Sequence, residues 1–301
     1  MAERLSFEDE ITRNKIKSSL LIIAVLVFIP VLGYLISLAL DPGYFFFIMI
    51  ISIIFSISYV LISYYNSDKI ALASVRAHPA SQSEHRALFN AVESMSLASG
   101  LPMPKVYVMD SQEINAFASG RNPNKAVICV TTGALDKLNK QELEGVIAHE
   151  MSHIANFDIR FMTLTAVLIG MISIIAQMFL RSLWFGGGNR DREGKGNAIF
   201  MIIAILVAIL APIAAQLVSL AISRKREFAA DASGVKFTRY PPGLASALEK
   251  IKREVLPENE KKRFSSATAP LFISDPFKKK VQGLFSTHPD INQRISILKR
   301  M

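Results

Sequence analysis

Ala148-His149-Glu150-Met151-Ser152-His153-Ile154 is the stretch on which the reading of this 301-residue chain turns. It follows Asn139-Lys140-Gln141-Glu142, a capping-box pattern in which the two side chains satisfy each other's orphan amides and start a helix. Such a helix puts His149 and His153 on one face, one turn apart, because residues four apart stack along a helix. Two imidazoles so placed can meet one zinc ion. Glu150 is one step round, where a carboxylate can take a proton from an attacking water and hand it to a leaving amine. A helix with two surface histidines is the ordinary alternative. The five-residue pattern arises by chance in such a chain on the order of once in a hundred, and the capped helix around it favours the metal reading.

A site of this kind needs a third protein ligand. Among the other histidines, His78, His85 and His288 are candidates, and acidic residues are more numerous. Glu227 is the most attractive, since it opens Glu227-Phe228-Ala229-Ala230-Asp231. At i and i+4, Glu227 and Asp231 share a helix face, so one can ligate while the other accepts a hydrogen bond from a ligand histidine. A solvated acidic pair among basic neighbours explains the spacing equally well.

Outward from the motif, four long stretches lack charge: residues 20–40, 44–65, 161–180 and 198–223. Each is long enough to cross the ~20-residue width of a bilayer core. The first two are joined by Asp41-Pro42-Gly43, a strong turn signal, and form a hairpin. The acidic flank Glu8-Asp9-Glu10 and the span that follows at once argue against a cleaved leader in the first. Buried core helices are the alternative for the third and fourth. His149 and His153 precede the third stretch and Glu227 follows the fourth, so two crossings return the chain to one face and bring the ligands together. Lys/Arg near the span ends place the termini and residues 66–160 in the cytosol. The loop from Arg181 to Gly196, with four basic residues, breaks that rule if it lies outside.

Between the second and third stretches, residues 85–99 have helical spacing, and residues 105–109, 114–119 and 126–131 read as strands. Residues 224–253 read as helical, and 254–287 as a long polar loop. The net charge of +9 belongs entirely to residues 224–301, which carry 17 Lys/Arg against 8 Asp/Glu. With so apolar a chain, anionic lipid head groups are the favoured partner and nucleic acid is not expected. One cysteine, Cys129, excludes an intrachain disulfide.

Over nearly its whole length the chain resembles the HtpX-type membrane zinc metalloproteases, relatives of the prenyl-protein (CAAX) proteases. The resemblance runs through Asn115-Ala116-Phe117-Ala118, the segment 121–127, the motif 148–154, Arg226-Glu227-Phe228-Ala229-Ala230-Asp231, His288-Pro289 and Arg294. It implies that His149, His153 and Glu227 bind one Zn2+, that Glu150 is the general base, and that Asp231 supports a ligand. It implies that Asn115 and Ala116 lie on an edge strand to which a peptide substrate adds, and that His288 stands near the developing oxyanion. Arg294 is expected to order that segment. Three positions depart from the pattern: Phe157 where glycine is usual, Asp290 for a second proline, and Ala134 for leucine.

The expected fold is α+β, a zincin-like (gluzincin) domain with a small sheet interleaved with four transmembrane helices. Residues 1–65 form the first hairpin, 66–160 the first part of the catalytic domain, 161–223 the second hairpin and 224–301 the second part. The expected activity is endoproteolysis of membrane proteins at the cytosolic face of the cell's inner membrane, in quality control of damaged ones. Two rivals are specific processing of a prenylated or signal-bearing peptide, and a transporter or scaffold that keeps a metal site. The spans hold almost no ionisable residues, which disfavours a transporter.

Overall fold

The computed structural model describes residues 7–38, 42–168, 170, 224–254, 271–273 and 289–301. The chain opens with α1 (Phe7–Leu38), a 3-10 turn at Pro42–Tyr44, and α2 (Phe45–Tyr65). Within them, Ile11–Tyr34 and Pro42–Tyr65 are long and apolar enough to cross a membrane. The two helices meet along small residues. A Cβ on Gly33 would lie 2.6 Å from that of Ser52, and Ser56 Oγ donates to the Val25 carbonyl at 3.3 Å. Their outer faces expose Leu20, Val27, Phe46, Phe47 and Phe55 among others. That is more contiguous apolar surface than a soluble monomer leaves to water.

Of the third apolar stretch, the start is described. Residues 158–168 are helical (α7), and Phe161, Leu164 and Leu168 pack on Leu21, Val25 and Ile29 of α1. The remainder of that stretch and the whole of the fourth lie outside the described residues.

A small sheet and a layer of helices follow. In chain order these are α3 (Ser67–Ser74), β1 (His78–Pro79), α4 (Arg86–Ser99), β2 (Lys105–Met109), β3 (Ala116–Gly120), β4 (Ala126–Thr131), α5 (Thr132–Lys137) and α6 (Lys140–Ala155). The strand order is β1-β2-β4-β3, with β2 and β4 parallel and the other pairs antiparallel. Two strands fall on the expected residues, whereas the one expected at 114–119 sits at Ala116–Gly120. The cause is competition for its first amides. Ile114 N–H donates to the Glu254 carboxylate and Asn115 N–H to Thr131 Oγ1, so neither enters the ladder.

The capping box forms in both directions. Glu142 N–H donates to Asn139 Oδ1 at 2.9 Å, and Asn139 N–H to Glu142 Oε2 at 2.8 Å. The α6 helix it starts is buried over nearly its whole length. Against it pack α8 (Arg224–Thr238) and α9 (Pro241–Arg253). The helical segment expected over 224–253 is thus helical in two pieces. Pro241-Pro242 forces the preceding residues out of helical geometry, and Arg239 turns left-handed at φ 52. Two glycines let these helices touch backbone to backbone. A Cβ at Gly145 would meet Leu244 N at 2.6 Å, and one at Gly234 would meet His149 N at 3.1 Å. α10 (Ile291–Leu298) closes the chain against α8 and α9.

The loop expected over 254–287 is corrected where it is described. Leu271, Phe272 and Ile273 are buried rather than polar and exposed, and Phe272 forms an antiparallel bridge with Phe117 of β3. Their side chains are apolar and join the core on both faces of the sheet.

Candidate metal centre

α6 presents His149, Glu150 and His153, and α8 presents Glu227 and Asp231, with Gly234 letting α8 lie against the backbone of His149. The Nε2 atoms of His149 and His153 are 3.2 Å apart. Glu227 places one carboxylate oxygen 3.7 Å from the first and the other 3.7 Å from the second. All three residues are buried, and their donor atoms lie within 4.8 Å of one another. A tetrahedral ion with bonds of about 2.1 Å has ligand–ligand edges of about 3.4 Å. The observed separations fit that figure, and two imidazole nitrogens with one carboxylate are donors a first-row divalent metal accepts. Among the histidines proposed for the third position, His78 is exposed on β1 and 3.8 Å from Asp110, and His85 contacts Ser81. His288 lies outside the described residues.

Each histidine is backed by a carboxylate. His149 Nδ1 is 2.9 Å from Asp231 Oδ1, and His153 Nδ1 is 2.9 Å from Asp158 Oδ2. A ring that donates through Nδ1 to a carboxylate leaves Nε2 as the electron-pair donor, with its orientation fixed. Arg294, fully buried, grips Asp231 from Nε (2.8 Å) and Nη2 (2.7 Å) and lies 3.6 Å from Glu227. Burial alone would raise the Asp231 carboxyl, but Arg294 and His149 hold it below the usual carboxylate range. Burial pushes the His149 imidazole down, toward the neutral form a metal ligand needs, although Asp231 opposes it. Burial would also lower His153, but its bond to Asp158 and the charge of Glu227 raise it. The bare site thus prefers a proton on His153, which a divalent cation would displace.

Glu150 faces β3. Burial pushes its carboxyl up to about 7, against the lowering effects of His153 and of a hydrogen bond from Ala118 N–H. That amide belongs to the edge of β3 that does not pair with β4, so the sheet edge and the acid–base group are adjacent. Asn115 immediately precedes β3 and Ala116 begins it, and the Ala116 carbonyl accepts from Ile273 N–H at 3.0 Å. The edge is therefore occupied by the chain's own Leu271–Ile273.

A family model described as Peptidase family M48 matches residues 82–301. The chain belongs to peptidase family M48. Its M48 relatives include the protease HtpX homolog of Caldanaerobacter subterraneus subsp. tengcongensis, 50% identical over 251 residues, or 82% of this chain and 83% of that protein. The protease HtpX homolog of Dictyoglomus thermophilum is 42% identical over 296 residues, 98% of this chain and 95% of that protein. Among solved structures, the crystal structure of S. mikatae Ste24p aligns with a TM-score of 0.48 and 19% identity, covering 95% of this chain and 65% of that chain. M48 membership makes the chain a protease of a metallopeptidase family and implies a metal for the group His149, His153 and Glu227.

Sequence reasoning missed Asp158 and the Ala118 amide in this M48 site. Asp158 is five residues beyond His153, past the end of α6, where helical periodicity says nothing. The Ala118 amide has no side-chain signature at all.

Proposed function

We propose that the chain is a membrane-anchored zinc endopeptidase that cleaves membrane proteins at the cytosolic face, in quality control of damaged ones. The observation that carries this reading is the juxtaposition of His149, His153 and Glu227 with Glu150 beside the edge of β3. His149, His153 and Glu227 would hold the zinc, which when bound polarises a peptide carbonyl and makes a water more acidic. Glu150, with a proton affinity near neutrality, takes the water's proton and returns it to the departing amine. Asp231 and Asp158 accept from the two Nδ1 atoms, which keeps the rings turned with Nε2 toward the metal position. A substrate in extended form would add to β3 at Ala116–Ala118, where backbone pairing is indifferent to side chains. To do so it takes the place of Leu271–Ile273. His288 is proposed to stabilise the oxyanion. The four-span topology, the inner-membrane location and an association of the basic segment with anionic head groups belong to the same proposal.

Support for membrane substrates comes from the closeness of the site to α1 and α7. Asn14 of α1 is hydrogen-bonded to Asp158, which holds His153. Glu150→Gln tests the reading. It removes the proton acceptor and keeps the shape, so turnover of casein or a membrane substrate falls by about 10²- to 10⁴-fold while bound zinc stays stoichiometric. Cleavage at the wild-type rate would overturn the assignment, and a wild-type protein that binds no metal would overturn the function.

A further inference from the structure

Asn14 is a buried amide in the first turns of a helix that otherwise reads as a membrane anchor. A buried polar group costs free energy unless its hydrogen bonds are made. Those of Asn14 Nδ2 are made across 144 residues of sequence, to Asp158 Oδ1 at 2.6 Å, and also to the Asn156 carbonyl at 3.1 Å. The other oxygen of Asp158 receives His153 Nδ1 at 2.9 Å. Asn14, Asp158 and His153 are 6%, 0% and 4% exposed, so water does not substitute for any of them. Among the described residues, the other charged neighbour of Asp158 Oδ1 is Arg226, whose Nε is 3.8 Å away, beyond hydrogen-bonding range.

We propose that Asn14 is a positioning residue of the metal centre, acting through Asp158 on His153. The inference rests on the reading of His149, His153 and Glu227 as metal ligands. The carboxylate of Asp158 has two ends, and each is held by a different part of the chain. With the α1 end held by Asn14, the plane of the carboxylate is fixed, and so is the direction of the proton it receives from His153. The ring can then present Nε2 only toward His149 and Glu227. Without the Asn14 donor, Oδ1 is a buried charged atom short of a hydrogen bond, and Asp158 turns or recruits a new partner at the expense of His153. The first membrane helix is in this sense a component of the metal site as well as its anchor.

The test is zinc affinity of the full-length protein in detergent, measured by competition with a coloured chelator for the wild type, Asn14→Leu, Asp158→Asn and the double variant. Asn14→Leu is expected to bind zinc about tenfold more weakly, at the lower end of what loss of a ligand's partner costs. The visible spectrum of the cobalt-loaded protein shifts with it, because the ligand field changes. In the Asp158→Asn background, Asn14→Leu adds little, since the two act in series. Ser18→Ala, which removes a buried hydroxyl whose hydrogen bond among the described residues goes to the Asn14 carbonyl one turn back, leaves affinity and spectrum unchanged. If Asn14→Leu does not fold, Asn14→Ser removes the reach with a smaller change of shape and is read the same way. Affinity within twofold of wild type with an unchanged cobalt spectrum would overturn the proposal, as would full multiplication of the two single effects. A wild type that binds no zinc would instead defeat the reading on which it rests.

Discussion

Phe157 has φ 58, a left-handed conformation that bulky side chains rarely adopt. The residue terminates α6 and turns the chain so that Asp158, the next residue, faces back toward His153. A glycine would take that turn without strain, which explains why phenylalanine stood out there as a departure. The ring has a use of its own, lying 4.5 Å from Lys15 Nζ of α1. Phe157→Val puts a β-branched residue into the same turn and loses that contact. It is expected to destabilise the fold by about 1–2 kcal/mol, visible as a lower thermal midpoint. Phe157→Gly relieves the turn and is expected to keep zinc affinity at the wild-type level. His149, Glu150 and His153 were legible in the sequence because their relation is a property of one helix. Asp158 was not, because its approach to His153 depends on a single left-handed residue that no periodicity encodes.

At the scale of elements, α6 is the piece that everything else positions. Its start is local chemistry, and the capping box was legible for that reason. What the sequence did not show is that Glu142 also leaves its own helix, accepting from Lys250 Nζ of α9 at 2.7 Å and from Ser246 Oγ at 2.7 Å. Burial alone would raise this carboxyl, but Lys250, the Asn139 amide and Ser246 lower it on balance. A carboxyl depressed in the folded state adds stability above its unfolded pKa of about 4.3, and loses it as the pH falls through the folded value. Glu142→Gln keeps the cap but not the charge. It is expected to cost about 1 kcal/mol at pH 7, given that Lys250 is partly exposed. The gap in thermal midpoint between variant and wild type should hold steady from pH 7 to about 5 and narrow as the pH falls below about 4.3; a gap that stays constant there would mean that the charge of Glu142 contributes nothing. The shifted start of β3 and the break at Arg239–Tyr240 show where local reading gives way. The first follows from side-chain acceptors on Glu254 and Thr131, distant in sequence, and the second from Pro241-Pro242, which starts a new helix and cannot continue the one before it.

At the scale of the whole molecule, the metal centre sits at the end of a membrane hairpin. Lys15, Lys17 and Arg160 lie over the rings of Phe157, Phe161 and Tyr64, tying this end of the hairpin to the helices that carry the site. Under the proposed function, a protease anchored in this way would meet substrates that share its bilayer at high effective concentration, about millimolar for short tethers. In liposomes, a cleavable sequence fused to a membrane-crossing helix should therefore be cut about 10³-fold faster than the same peptide in solution at micromolar concentration. Equal rates would show that the anchor does not select substrates. The sequence by itself determined the helical metal motif, its cap, two of the strands and the apolar hairpin, because each is set by spacing within a few turns or residues. Only the tertiary structure decided that Glu227 reaches both histidines, that Leu271–Ile273 occupies the edge of β3, and that Asn14 and Asp158 stand behind His153. Apart from Asp158, which approaches His153 through the left-handed turn at Phe157, those relations join residues from tens to more than a hundred positions apart. They arise from helices brought into contact by packing and from buried polar groups that must find partners wherever the fold places them.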